Sequence, residues 1–295
     1  MSNDITLSSA TRTNLLSLQN TSNLIGQTQQ RLATGLKINS ALDDALAFFK
    51  ARNLNSRAAD LSSIKDVISG GVSVITAAVQ GLSSIESVLS QMKAIAQSAI
   101  SAPESTTRAK LASQFNELRS QVDGIAADSS FNGVNLLKNT STRFAGGADQ
   151  LTVKFNERTD PKAVNQLIVS GLKASDFTSI VGTSAVSVGS SATRWGQTGS
   201  AAITAISSAI DAIDSALVTV RQASQQFGTN AALLQIREDF TTNLINTLKG
   251  GAADLVNADL NEESANLLSL QTRQQLGTIS LSIAQRSEQS ILRLF

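Results

Sequence analysis

The side chains that could do chemistry in this sequence come as short carboxylate pairs and little else. Asp43-Asp44, Asp211 with Asp214, and Glu262-Glu263 are the places where two acids lie close along the chain. Two carboxylates can act as acid and base, or ligate a hard cation. Each pair also has a plainer reading. Ser40 can cap a helix, with Asp43 three residues on in a capping-box place, and Asp43 and Asp44 both suit a positive helix end. Nothing else nearby would join them on a cation. Asp211 and Asp214 flank Ile210 and Ile213 at helical spacing and solvate the edge of an apolar seam. Glu262-Glu263, following Asn261, suits the first turn of a helix better than an active site.

The sequence has no His and no Cys. That removes the commonest general base and metal ligand, the thiol nucleophile and any disulfide framework. Ser and Lys are both present, so a Ser–Lys nucleophile stays formally open. No Gly-x-Ser-x-Gly elbow, Walker loop or dinucleotide fingerprint is found, and Gly70-Gly71 and Gly146-Gly147 are bare glycine pairs. The expectation is no enzyme, no metal and no cofactor.

Charge excludes further classes. With 24 basic and 23 acidic residues, there is no electrostatic footprint for nucleic acid or an anionic membrane. No run approaches the roughly 20 apolar residues of a membrane helix, so no membrane insertion is expected. The first residues lack a charged region, an apolar region and a small-residue cleavage site, so no standard secretory signal is predicted. This alone points to the cytoplasm, and leaves a specialised, non-cleaved export route open.

The chemistry being sparse, the elements carry the information. Only two Pro, Pro103 and Pro161, interrupt the chain, so long helices can run. A first helix is predicted from about Ser8 to Thr34, stopped by Gly35, with Leu15, Leu18, Ile25, Leu32 and Leu36 on a seam that Ser22 and Gln29 interrupt. A second, over about 43–100, carries Ile64, Ile68, Gly71, Ile75, Ala78, Leu82, Ile85, Leu89, Met92 and Ala96 in unbroken heptads. Gly70-Gly71 either weakens it or admits a neighbouring backbone. A third, with Leu111, Phe115, Leu118, Val122 and Ile125, folds back antiparallel after Pro103. Residues 131–195 read as a small β-rich region, with a turn at Asn132-Gly133 and alternation at Leu151, Val153 and Phe155. Helix resumes near Gly196, on a line through Ile203, Ile206, Ile210, Ile213, Leu217, Val220, Ser224 and Phe227. Gly250-Gly251 reads as a hinge before a last helix. There Leu267, Leu270, Gly277, Leu281, Ala284 and Ile291 form one line, and Leu276, Ile279 and Ile283 a second.

Such stripes usually mean only an intramolecular bundle. The two ends go further. Ile5, Leu7 and Phe295 are apolar where chain ends are usually polar, which suggests packing against the other end or another copy. The fold class expected is mainly α: an elongated antiparallel helical bundle or coiled coil, with paired terminal helices and a small β-rich insert. Residues 1–42 with 253–295 would form the terminal-helix domain, 43–142 with 196–252 the rod domain, and 143–195 the exposed insert.

Three stretches resemble the bacterial flagellin family. Arg31-Leu32-Ala33-Thr34-Gly35-Leu36-Lys37-Ile38-Asn39-Ser40-Ala41-Leu42-Asp43-Asp44-Ala45 resembles its Arg-Leu, Gly, basic, Ile-Asn-Ser-Ala, Asp-Asp-Ala motif. Ser130-Phe131-Asn132-Gly133-Val134-Asn135-Leu136-Leu137 resembles the segment that opens its β-hairpin. Asn266-Leu267-Leu268 through Gln274-Gln275-Leu276-Gly277 to Gln289-Ser290-Ile291-Leu292 resembles its Gln-rich tail. The resemblance covers roughly 1–140 and 196–295. It implies a structural subunit that self-polymerises into the filament used for motility, with the terminal helices as inner tube and the rods and hairpin as outer tube. It implies assembly contacts at Leu15, Leu18, Ile25, Leu32, Leu36, Asn39, Asp43, Asp44, Leu267, Leu270, Leu276, Ile279, Leu281, Ile283, Ile291 and Phe295. It also implies type III export without a cleaved signal, an export chaperone on the C-terminal helix, filament cap and junction proteins as partners, and an extracellular destination.

One stretch departs from the family. The window sensed by a vertebrate innate receptor reads Leu89-Ser90-Gln91-Met92-Lys93-Ala94-Ile95-Ala96, without the characteristic Arg, and Gln114 stands where an acidic contact is expected. Weak receptor activation is predicted from Ser90, Gln91, Lys93, Ile95 and Gln114. Two rival functions are a hook–filament junction protein, which shares terminal patterns, and a secreted coiled-coil adhesin or translocator, which would not self-polymerise.

Overall fold

The computed structural model describes residues 9–137, 150–157, 165–172, 195–196 and 199–292. Five helices and two strand pairs occur among them: α1 (Ser9–Thr34), α2 (Ala45–Ser101), α3 (Ser105–Asp128), β1 (Ser130–Phe131), β2 (Val134–Asn135), β3 (Gln150–Lys154), β4 (Gln166–Ser170), α4 (Ser200–Val256) and α5 (Leu260–Leu292). At 57 residues each, α2 and α4 are about 85 Å long. The expected insert, 143–195, falls largely outside the described residues, as do Ile5, Leu7 and Phe295. The chain divides into two compact units, residues 1–59 with 246–295, and residues 60–245.

In the unit 60–245, α2, α3 and α4 share one core. Ion pairs set their direction: Glu86 meets Arg221 and Lys93 meets Asp214, so α4 runs antiparallel to α2. Asp214 thus ties two helices together. The heptad positions Ile68, Ile75, Ala78, Leu82, Ile85, Leu89, Met92 and Ala96 of α2 are buried, and Ile64 lies at the edge. On α4 the expected line is rotated. Ile203 is half exposed, and Ala202, Ala209, Ala216 and Ala223 are buried beside Ile206, Ile213, Val220 and Phe227. Small residues on one line let the helices approach closely, which the Ile positions would not.

Serine and threonine are frequent within these helices without breaking them. Their hydroxyls donate to the carbonyl one turn back, as Ser73 does to Ser69, Thr76 to Val72 and Thr219 to Ser215, so the polar group is satisfied inside its own helix. By length and composition α2 and α4 could each cross a membrane. Part of their apolar surface is covered by each other, by α3 and by the strands.

The Asn132-Gly133 turn forms as expected, with both residues at positive φ (50° and 79°) between β1 and β2. That is the backbone of a tight hairpin turn, which Asn and Gly tolerate best. Asn135 pins the hairpin to α3: its Nδ2 donates to the Ala126 and Ala127 carbonyls, and its Oδ1 accepts from Leu137 N. The hairpin lies close on α2, where a Cβ at Gly81 would meet Ser129 Oγ and stand 2.7 Å from Leu137 Cδ1. A methyl there has no room. Gly81→Ala is expected to lower the unfolding midpoint of this unit by the equivalent of about 1–3 kcal/mol. Urea titration followed by circular dichroism would show it, and an unchanged midpoint would contradict the packing.

β3 and β4 pair antiparallel in register Gln150 with Ser170 to Lys154 with Gln166. Val153 and Val169 are buried while Ile168 is half exposed, a two-residue period that puts one face on the helices. At Gly71 the close neighbours are the Val153 and Leu234 side chains. The approach expected there is therefore of side chains and not of a backbone, and α2 runs through Gly70-Gly71 unbroken.

Candidate functional site

The unit formed by residues 1–59 and 246–295 holds most of the residues expected to mediate assembly. It is built from two chain breaks lying side by side. α1 ends at Gly35, which takes φ +70°. The chain then pairs with the segment between α4 and α5. Leu36 bridges Asn257, Lys37 N and Ile38 N donate to Val256 O, and Ala258 N donates to Gly35 O. The hinge expected at Gly250-Gly251 is absent, because α4 continues through both to Val256. The break falls at Asn257–Asp259, where the exposed Asp259 carboxylate accepts from Asn261 N and starts α5. Asn261 is therefore inside the helix and Asp259 is its cap. Glu262 and Glu263 occupy the first turn, as a positive helix end favours.

The turn after Leu36 is organised by Asp43. Its Oδ2 accepts from Asn39 N (3.0 Å), Ser40 N (2.9 Å) and Ser40 Oγ (3.2 Å), while Asn39 Nδ2 donates to Thr34 Oγ1. Ser40 does not cap α2. Asp44 does, accepting from Ala47 N at 3.0 Å. Asp43 thus closes the turn and Asp44 opens the helix, and the pair is structural in its contacts. The Ser40 N–H first, then the Asn39 N–H, hold the Asp43 carboxyl below its ordinary value, with smaller help from the Ser40 hydroxyl and the Arg31 charge.

A carboxyl lowered in the folded state contributes fully above the ordinary carboxylate range. That contribution is lost as pH falls through the folded value, where the turn must take up a proton it resists. Hydrogen-exchange protection of the Asn39 and Ser40 amides is expected to drop in acid, and Asp43→Asn to remove that acid step. Protection indifferent to acid in the unaltered chain would refute the assignment.

α1 and α5 pack along a two-stranded seam. On α1 the covered positions are Thr11, Asn14, Leu18, Thr21, Ile25, Thr28 and Leu32. On α5 they are Glu263, Leu267, Leu270, Gln274, Gly277, Leu281 and Ala284. Both sets step by three and four, the period of helices wound on each other. Leu18, Ile25 and Leu32 stand where the sequence puts them. Leu15 does not: it is 42% exposed, and its place on the seam is taken by Asn14. The shift by one residue follows from the three-residue steps, which allow either Asn14, Thr21 and Thr28 or Leu15, Ser22 and Gln29 to alternate with the shared positions. Thr28 is buried and Arg31 reaches Glu263 Oε1 at 3.0 Å, both on the first choice. Gly277 lets Leu18 pack closely on α5, since a Cβ there would lie 2.7 Å from Leu18 Cδ2 and the leucine would have to shift.

The second line of α5 has no cover within the described residues. Leu276, Ile279 and Ile283 are each more than half exposed, as is Leu268. On α1, Leu16 is also more than half exposed and Leu24 nearly half. Ile291 lies in the last turn of α5. Among the described residues no group of three or more acids converges as a metal site.

The fold and this surface define a helical coiled-coil protein whose prominent surface feature is apolar helix face rather than a reactive cleft. Comparison with known proteins takes the assignment further. Residues 3–142 match the bacterial flagellin N-terminal helical region, and residues 210–295 the bacterial flagellin C-terminal helical region. Flagellin FljM of Caulobacter vibrioides is 33% identical over 99% of this chain and 98% of its own length. The flagellin of Brucella melitensis is 28% identical over 99% of this chain and 98% of its own. The chain belongs to the bacterial flagellin family and is a structural subunit of the flagellar filament. Among solved structures, a putative flagellar hook-associated protein from Vibrio parahaemolyticus superimposes with a TM-score of 0.61, covering 73% of this chain and 100% of that one at 15% identity. That likeness speaks to the fold alone.

Proposed function

We propose that the chain polymerises through its end helices, and that the exposed second line of α5 is buried by neighbouring copies. The single observation behind this is that α1 covers one side of α5 and leaves Leu268, Leu276, Ile279 and Ile283 facing outward. Four large apolar side chains on one helix face are unfavourable in water and favour association. Folding of the ends is coupled to that association, so monomers remain dispersed until a template is offered. In this reading 1–42 with 253–295 line the inner tube, 43–142 with 196–252 form the outer tube, and 143–195 projects outward. Leu15, Leu36, Asn39, Asp43, Asp44, Ile291 and Phe295 belong with the contact-forming ends. Catalysis has no part in it.

The finer partners follow from the same reading. The chain leaves the cell unfolded through the flagellar export apparatus without losing a leader. A chaperone masks 267–295 beforehand, and cap and junction proteins bound the growing filament. Shearing filaments from producing cells and sequencing the subunit by mass spectrometry tests this. The intact first peptide in the sheared fraction is expected. Absence of the chain from that fraction, or a removed leader, would contradict it.

The receptor window supports weak sensing. Ser90, Gln91 and Gln114 are exposed, Ile95 is partly covered, and Lys93 is engaged by Asp214 at 2.5 Å. A cell reporter for the innate receptor is expected to respond feebly to purified monomer, and a full-strength response would refute this.

A further inference from the structure

On the filament reading, we propose a specific contact between copies: the ridge Leu42, Leu46 and Phe49 of one chain seats in the apolar groove of the next. Leu42 is 97% exposed, Leu46 67% and Phe49 52%. Leu46 and Phe49, three residues apart, share one line at the start of α2, and Leu42 stands in the turn just before it. In the same unit lies an open groove of about 500 Å³, with Leu36, Ile38, Phe48, Ala51 and Val256 on its apolar side and Asn39, Arg52, Asn55 and Ser56 on its polar side. The groove has the volume for two or three such side chains, and its apolar side suits Leu46 and Phe49.

Charge selects a second copy as the occupant. Asp43 shares its hollow with Arg31 and Lys37, which leaves Asp44 as the acid at the foot of the ridge, whereas from Ala45 to Ala59 the helix carries Lys50, Arg52 and Arg57 and no acid. An acidic foot followed by a basic stretch is complementary to the same segment of another chain displaced along it, with Asp44 meeting Arg52. A ridge and a groove at different places on one surface make a head-to-tail contact. Such contacts propagate into open helical assemblies unless the rotation closes a ring, and they do not make a two-fold dimer.

Because the chain has no Cys, two introduced thiols report on this contact alone. Leu46→Cys and Asn55→Cys are placed in one chain. Nine residues apart on a helix, they are about 13 Å apart along its axis, beyond the reach of an internal disulfide. Oxidised filaments are expected to give a ladder of covalent oligomers on a denaturing gel, and dispersed monomer none. Filaments that form and give no ladder, or dimers only, overturn the contact and leave the filament reading standing. Unaltered chain that fails to extend seeds overturns both.

A second variant covers the case in which the double cysteine chain does not assemble. Leu46→Glu replaces a side chain that is two-thirds exposed, so monomer helicity should be unchanged while elongation slows at least tenfold. Elongation within twofold of the unaltered chain would overturn the contact.

Discussion

Replacing Trp195 with alanine is expected to cost the unit of residues 60–245 about 3–5 kcal/mol, as is usual when a fully buried tryptophan is truncated. Trp195 has no exposed surface and packs against Phe115 with ring centroids 5.1 Å apart. Its carbonyl accepts from Arg108 Nε at 2.9 Å, and the same guanidinium donates through Nη1 to the Ala102 and Pro103 carbonyls. One arginine thus satisfies two carbonyls of the connection between α2 and α3 and ties them to Trp195. Alanine leaves a cavity under that arrangement. Urea unfolding followed by circular dichroism should show a lower midpoint with an unchanged slope. The indole Nε1 has no hydrogen-bond partner among the described residues, so Trp195→Phe forfeits no bond there and should cost less than half as much. A Trp195→Ala chain with the midpoint of the unaltered protein would remove this site from the core.

The second large effect concerns assembly. Changing Leu276, Ile279 and Ile283 together to serine is expected to raise the monomer concentration needed for growth at least a hundredfold. Burying each such side chain contributes about 1.5–3 kcal/mol, and a tenfold change in an equilibrium takes about 1.4 kcal/mol. The α1-facing positions Leu267, Leu270, Gly277 and Leu281 are untouched, and so is the whole unit of residues 60–245. The variant monomer should therefore unfold in urea like its parent. Growth at the parent's concentration would show that this face is not an assembly contact.

The helices were legible because their signals are redundant. The α2 heptads, the Pro103 break, the Asn132-Gly133 turn and the alternation at Val153 each rest on several residues that agree. Misreadings arose where one residue decided. Gly250-Gly251 reads as a hinge, yet a helix held along its length tolerates two glycines, and the real break at Asn257–Asp259 is fixed by backbone pairing with residues 35–38 that sequence spacing does not reveal. Leu15 reads as a seam residue because leucine outranks asparagine in hydrophobicity. The partner helix decided for Asn14, through Arg31 with Glu263 and Leu18 with Gly277. Ser40 reads as the cap of α2, and only the geometry shows that Asp44 does the capping. Trp195 and Arg108 carry no motif at all; a lone tryptophan in a chain without tyrosine is the one signal that could have drawn attention there.

Seeded elongation tests the central claim most directly. Purified full-length chain is added to short fragments of its own filaments and followed by light scattering and negative-stain microscopy, beside a chain ending at Ala265 that lacks most of α5. Long tubes from the full chain and none from the truncated one are predicted. Growth of the truncated chain at the full-length rate, or no growth from either, would contradict assembly through the end helices.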